Sequence, residues 1–397
     1  MWVGYGFRIT IVLCNISQYS RTSHPKPLQT VYAYNGVPTM PDTAPPQATH
    51  AADAPMTYPH AEPPTGGALL NVAPGVYWLR MPLPVVLNHI NLWLLDDGDG
   101  WTIVDCGFAT DEARVHWDNI FAHHLQGKPL LRRIKRVIVT HFHPDHIGLC
   151  DWLCERFNLV PWMTQAEYLQ AHVVHARVGG TEREPMAKML MAHGLTDERL
   201  DAIVQRENLY LQGVPKLPNA HRRIRDNEHI TIGANTWRVI VGHGHAPEHA
   251  SLYCEALKVF ISGDMLLPRI STNISIWPSA PEADPLGDFL SALALYAELP
   301  DGTLVLPSHG LPFRGHHARI AALREHHGVR LERLRKVCAE PQRAVDVLGL
   351  LFERKIEGHH VMFAMGEAIA HLNHLTQRGE LRRCVNAESQ VTFSKAA

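Results

Sequence analysis

Seven consecutive residues, Thr140-His141-Phe142-His143-Pro144-Asp145-His146, gather three imidazoles and one carboxylate directly after the apolar run Val137-Ile138-Val139. The run reads as a short buried strand. Pro144 has no N–H to continue a ladder, so the polar groups fall on a turn at the strand's end. Side chains crowded in this way lack partners unless a cation satisfies them. Histidine is the commonest metal ligand, and zinc takes imidazole nitrogen and carboxylate oxygen in small four- or five-coordinate sets. The chain holds 27 histidines, and the pairs His123-His124, His316-His317, His326-His327 and His359-His360 show that proximity alone means little. The strand-ending His-x-His-x-Asp-His pattern is the feature that points to metal.

Four further segments follow a consistent order around it: Asp105 in Thr102-Ile103-Val104-Asp105-Cys106-Gly107, His245 in the stretch His243 to Leu252, Asp264 closing Val259-Phe260-Ile261-Ser262-Gly263-Asp264, and His309 in Val305-Leu306-Pro307-Ser308-His309-Gly310. Together the five segments resemble the signature of the metallo-β-lactamase fold in its two-metal hydrolase branch, over roughly residues 68–315. Glyoxalase II, the acyl-homoserine lactonases and lactamase-like proteins with a C-terminal winged helix are similar. The resemblance implies an α/β fold, an αββα sandwich. It further implies one metal on His141, His143 and His245, a second on Asp145, His146 and His309, and Asp264 bridging both. Asp105 would stand behind the ligands and orient them, a role that typically matters 10–100-fold in affinity or activity. In the third segment His243, His245 and His249 compete for one place. The spacing from Gly244-His245 to Pro247, His249 and Ser251 selects His245 and leaves His243 as the alternative. Glu248 stands where the family usually has glycine.

The cofactors implied are two Zn²⁺ ions, and the donor set also admits iron or manganese. Paired ions lower the pKa of water from about 15.7 towards 7 and polarise a substrate oxygen, which suits attack by hydroxide on an activated carbonyl or a phosphorus centre. Asp145 is the candidate for moving a proton to the leaving group. No Gly-x-Ser-x-Gly elbow, phosphate loop or dinucleotide fingerprint competes.

A formal net charge of −2 gives no electrostatic footprint for nucleic acid or an anionic membrane. Seven scattered cysteines do not form a disulfide framework. Cys150 and Cys154, four apart, read as core residues. No apolar run approaches bilayer length, and the start has neither a basic leader nor a small-residue cleavage site, so the expected location is the cytoplasm. Residues 1–67 read as a disordered extension, with Met40 an alternative start.

Along the chain, Ile90–Leu95 and Trp101–Val104 around Asp97-Gly98-Asp99-Gly100 predict a hairpin. Helices are predicted over 110–126, 147–157 and 285–299, and strands over 134–139, 230–232, 236–241, 250–254, 258–261 and 303–306. About 165–212 reads as a helical insertion whose methionines suit either core or an apolar substrate wall. The segment Pro268–Pro278 follows Asp264 closely and places Asn273 and Trp277 as candidate substrate contacts. Residues 316–397 read as helix, helix, helix, hairpin, a winged-helix-like module. It carries 13 Lys and Arg against 9 Asp and Glu, yet Val361–Ala370, where a recognition helix would read bases, has only Glu367. A packing, pocket-closing or dimerisation role is therefore favoured, which allows a homodimer.

The leading expectation is a dinuclear zinc hydrolase of a small acyl substrate: thioester, lactone or ester. The alternatives are a metal-dependent phosphodiesterase or ribonuclease and, with one iron, a dioxygenase acting on a thiol-derived substrate. A non-catalytic binding module fits poorly with an unbroken ligand set.

Overall fold

The computed structural model describes residues 56–124, 133–204, 209–352, 356 and 360–396. The first sheet has seven strands in chain order: β1 (Leu70–Ala73), β2 (Val76–Pro82), β3 (His89–Asp96), β4 (Trp101–Val104), β5 (Ile134–Ile138), β6 (Trp162–Met163) and β7 (Arg222–Arg223). The second has five: β8 (His229–Ile232), β9 (Asn235–Gly242), β10 (His249–Cys254), β11 (Val259–Gly263) and β12 (Leu304–Pro307). In each sheet the antiparallel strands are joined by short turns, and the parallel pairs β4–β5 and β11–β12 are separated by helical crossovers.

Three apolar clusters explain the layering. Trp78, Trp93, Val104 and Ile138 of the first sheet meet Trp237, Val239, Leu252 and Ile261 of the second, so the sheets pack face to face. The outer face of the first sheet (Leu92, Ile103, Val137) is covered by α1 (Asp111–Asn119), α2 (Pro144–Ile147) and α3 (Cys150–Phe157), together with Ala171 of α4 (Gln165–Ala176). Cys150 and Cys154 lie in this cluster, with their sulfurs 4.0 Å apart. The insertion continues as α5 (Arg183–Ala192), α6 (Glu198–Val204) and α7 (Leu209–Gly213). The outer face of the second sheet (Ile240, Phe260, Val305) packs on α8 (Pro285–Tyr296) and on α9 (His316–Val337). This is the expected αββα sandwich.

The C-terminal segment keeps the expected order: α9, a 3₁₀ turn over Ala344–Val347 leading into α10 (Leu348–Leu351), α11 (His360–Gln377), and the hairpin β13 (Leu381–Val385) with β14 (Val391–Lys395). Its core is continuous with that of the second sheet, since Val361, Met365, Ile369 and Leu372 join the same cluster as Leu286 and Phe289. Met186 and Met189 of α5 also belong to it. Asn373 Nδ2 donates to the carbonyls of Pro281 and Ala283, and His374 pairs with Asp284 at 3.0 Å.

The expected disordered extension needs correction at its end. Residues 1–55, with Met40, lie outside the described residues, but Thr57 pairs with Arg314 in a β-bridge, and Met56 and Tyr58 pack on the second-sheet core. Their apolar side chains gain more from that surface than a low-complexity reading of the segment allows. Among the described residues no helix is long and apolar enough to cross a membrane.

Candidate metal centre

The donors converge at one rim of the sandwich, where strands of both sheets end. β5 delivers His141 and His143 and, through α2, Asp145 and His146; Pro144 occupies the first turn of α2, where its missing N–H costs nothing. β9 delivers His245, β11 delivers Asp264 and β12 delivers His309. Gly244 is required for this path: its φ is +103°, and a Cβ there would lie 2.3 Å from the Pro285 carbonyl oxygen.

Two groups of donor atoms result, each within 4.8 Å of one another: His141, His143, His245 and Asp264, and then Asp145, His146 and His309. In the first, His141 Nε2 lies 2.9 Å from His143 Nδ1 and 3.2 Å from His245 Nε2. In the second, His309 Nε2 lies 3.4 Å from Asp145 Oδ2. Asp264 faces both: Oδ2 is 3.4 Å from His245 Nε2, and Oδ1 is 3.5 Å from both His146 and His309 Nε2.

The far sides of the rings are held by the protein. His146 Nδ1 donates to Asp105 Oδ2 (2.8 Å), His245 Nδ1 to the Asn273 carbonyl (2.8 Å) and His309 Nδ1 to the His89 carbonyl (2.9 Å), which leaves each Nε2 turned into the site. Such partners fix the tautomer and raise the basicity of a ligating imidazole. Asp264 is steadied by Thr272 Oγ1, which donates to its carbonyl, and by His249 Nε2, which accepts its N–H at 3.2 Å.

This donor set fits a divalent cation. His146 Nε2 and Asp264 Oδ1 are buried without a hydrogen-bond partner, a costly arrangement for polar atoms unless an ion completes them. The field points the same way. Burial alone would lower His309, yet Asp264 and Asp145 raise it to about 10. His146, likewise opposed by burial, is held well above the usual histidine range by Asp105, Asp145 and Asp264. The second donor group therefore favours positive charge, whereas burial and neighbouring imidazoles hold His141 well below the usual histidine range and His143 down to about 3.

Every residue expected to bind metal is brought here, and of the competing histidines only His245 joins the donors. His243 is turned away, with Nδ1 2.6 Å from the Pro247 carbonyl, and His249 supports Asp264 from behind. Asn273 reaches the site through its main chain, while its side chain accepts from Ser275 Oγ at 2.9 Å. Trp277 lines a small apolar niche with Met186, Met189, Ile276, Met362 and Phe363. The sequence reading missed Glu167, which is buried and accepts the N–H of Phe142 (2.9 Å) and of Glu248 (2.6 Å), and Tyr210, whose hydroxyl donates to the Phe142 carbonyl (3.0 Å). Both sit on insertion helices, where no local pattern distinguishes them from surface polar residues.

The chain is similar to known proteins over most of its length. Residues 85–309 match the Metallo-beta-lactamase superfamily domain, and residues 331–396 match the Metallo-beta-lactamase-like, C-terminal domain. The crystal structure of a beta-lactamase domain protein from Burkholderia ambifaria is similar at 46% identity and a TM-score of 0.80, over 86% of this chain and 98% of that one. A metallo-beta-lactamase family protein from Thermus thermophilus is similar at 28% identity and a TM-score of 0.66, over 82% of this chain and 100% of that one. A Bacillus subtilis protein named probable metallo-hydrolase YqjP is 27% identical over 302 residues, 74% of this chain and 90% of that protein. With more than half its length matched by one family domain around this donor set, the chain belongs to the metallo-beta-lactamase superfamily.

Proposed function

We propose that this chain is a dinuclear zinc hydrolase of small activated carbonyl compounds: thioesters, lactones or esters. The reaction class, metal-dependent hydrolysis, follows from the superfamily and from relatives named probable metallo-hydrolases. The observation that carries the two-ion reading is Asp264, whose two oxygens face different donor groups at 3.4–3.5 Å. His141, His143 and His245 would hold one ion and Asp145, His146 and His309 the other. Held there, two zinc ions would supply an acidified water and polarise a carbonyl.

The remaining work falls to the chain. Asp145 is more open than Asp264, at 19% against 11% side-chain exposure, and sits beside His309, so it is placed to carry a proton from the nucleophile towards the leaving group. Two residues after Asn273, Ser275 begins the niche of Met186, Met189, Ile276, Trp277, Met362 and Phe363. The niche has room for only about one water, so it is packed side chains rather than a preformed acyl chamber, and methionine is a side chain able to yield to an apolar group. The winged-helix-like module closes this niche through α11 rather than presenting a reading helix: Glu367 pairs with Arg330 inside the module, and the Ile276 N–H donates to the Gly366 carbonyl. A cytoplasmic location is part of the reading, and buried free thiols such as Cys106, Cys150 and Cys154 suit a reducing compartment.

The test is metal quantification combined with a hydrolysis screen over acyl thioesters, lactones, esters and bis-phosphodiesters. Two zinc ions per chain with turnover confined to acyl compounds is the expected result. Turnover of phosphodiesters alone, or a single iron with oxygen consumption, would overturn it.

A further inference from the structure

We propose that Glu167 and Glu248 form a clasp between the two sheets that sets the spacing of the first donor group, with Glu167 as its positioning residue; the inference rests on the two-ion reading above.

Glu167, on α4, is fully buried, and its carboxylate bonds main chain rather than imidazole. Oε2 accepts the N–H of Phe142, the residue between His141 and His143. Oε1 accepts the N–H of Glu248, in the loop between His245 and His249. The first loop leaves β5 of one sheet and the second leaves β9 of the other. One carboxylate therefore ties together the two backbones whose imidazoles meet across the seam.

The second loop reciprocates. Glu248 Oε2 accepts the N–H of Ala166 at 3.1 Å, and the Glu248 carbonyl accepts from Thr164 Oγ1 at 2.8 Å, so the start of α4 is bonded to that loop in both directions. This accounts for a glutamate where the family usually has glycine.

Only a carboxylate offers an acceptor to each loop. The isosteric amide would accept on one side and turn an N–H towards an N–H on the other, leaving a buried donor unsatisfied. Burying the carboxylate is itself unfavourable, and it pushes Glu167 up to about 7. The second donor group is braced differently, by Asp105 behind His146 and by the His89 carbonyl behind His309. The clasp should therefore act on one group and spare the other, which a general contribution to folding would not do.

The experiment is stepwise removal of zinc from the loaded full-length protein by a chromophoric chelator, comparing wild type, Glu167→Gln and Glu248→Ala. In Glu167→Gln one of the two equivalents should leave at least ~10-fold more readily, while the other shifts less than ~3-fold, the range expected for partners behind metal ligands. With cobalt in place of zinc, the absorption of the weakened equivalent should change. Glu248→Ala, which keeps both bonds to Glu167, should loosen the same equivalent less. Unchanged affinities, or equal loosening of both equivalents with a fall in Tm, would overturn the clasp. If the amide variant does not fold, Glu167→Asp decides by the same titration, since it keeps the charge but is one methylene short of spanning both loops. A wild-type chain that binds two zinc ions yet hydrolyses no acyl substrate would sink the proposed function alone. A wild type that binds none would sink both.

Discussion

Asp105 accepts the Nδ1–H of His146 on one oxygen at 2.8 Å and the N–H of Thr140 on the other at 2.8 Å, so a single carboxylate fixes both the ring and the loop that carries it. Asp105 holds this pose at a φ of +63°, a conformation that aspartate tolerates better than most residues and that ends β4 abruptly. Asp105→Ala should therefore reduce kcat/KM by about 10–100-fold and loosen the ion held by His146. Steady-state kinetics and metal content would show it, and wild-type values in both would mean that the pairing is incidental.

Asp264 is the carboxylate that faces both donor groups. On the proposed two-ion reading, Asp264→Ala should remove the group that faces both donor sets, lower the bound metal and abolish hydrolysis. Far-UV circular dichroism should stay that of a folded chain, because the surrounding strands keep their ladders. Retention of two ions with near-normal turnover would rule out the bridging role.

His245 and His243 differ by two residues and by everything around them. His245 points its Nε2 at His141 and Asp264, whereas His243 is bonded to the Pro247 carbonyl outside the donor group. His245→Ala should cost metal and activity together, and His243→Ala should leave metal content unchanged. The opposite pattern in metal analysis would show that the loop rearranges when an ion binds.

The donor residues were legible because metal chemistry demands particular side chains at fixed steps from strand ends, and such steps survive in a bare sequence. The alternation from hairpin to helix to strand was equally readable, and the hairpin expected after the last helix forms from Leu381–Val385 and Val391–Lys395. What lay beyond reach depends on contacts distant in the chain. Glu167 is separated from Phe142 by 25 residues and from Glu248 by 81, and nothing local says that its carboxylate faces inwards. Thr57 and Tyr58 looked like part of a polar tail because their partners, Arg314 and the second-sheet core, lie far along the chain. The single helix expected over 147–157 begins at Cys150 and follows the short helix Pro144–Ile147, a break at Gly148, where a Cβ would meet the Gly213 carbonyl oxygen at 2.4 Å.

Acid should destabilise the C-terminal half in a defined window. Burial, reinforced by nearby histidines and Arg330, holds His327 down to about 2; His371 is held down to about 3, again first by burial. In the unfolded chain both titrate near 6.5, so below that pH the unfolded state binds more protons. The stability they permit is complete above roughly pH 6.5 and declines as the pH falls towards 3, by up to about 1.4 kcal/mol per pH unit for each ring. Urea midpoints at pH 7, 6 and 5 should fall progressively, and His371→Leu should flatten that slope whatever its effect at pH 7. An unchanged slope in the variant would place the proton uptake elsewhere.

The packing of α11 bears on what the C-terminal segment does. Arg330 and Glu367 are each only 12% exposed and satisfy one another between α9 and α11, and α11 buries Val361, Met365, Ile369 and Leu372 against the catalytic core. A helix committed in this way cannot also enter a nucleic-acid groove without giving up that packing. Glu367→Ala should leave a buried guanidinium unpaired and cost about 3–5 kcal/mol, read as a drop in Tm. Nucleic-acid affinity of the intact protein near physiological salt should be no better than the roughly 10⁻⁴–10⁻⁶ M of non-specific binding. Turnover of an uncharged acyl substrate should change little between low and moderate salt, because no phosphate contacts contribute to its binding. Tight, salt-sensitive RNA or DNA binding that disappears when residues 316–397 are removed, together with metal-dependent strand cleavage, would reverse the assignment in favour of a nuclease.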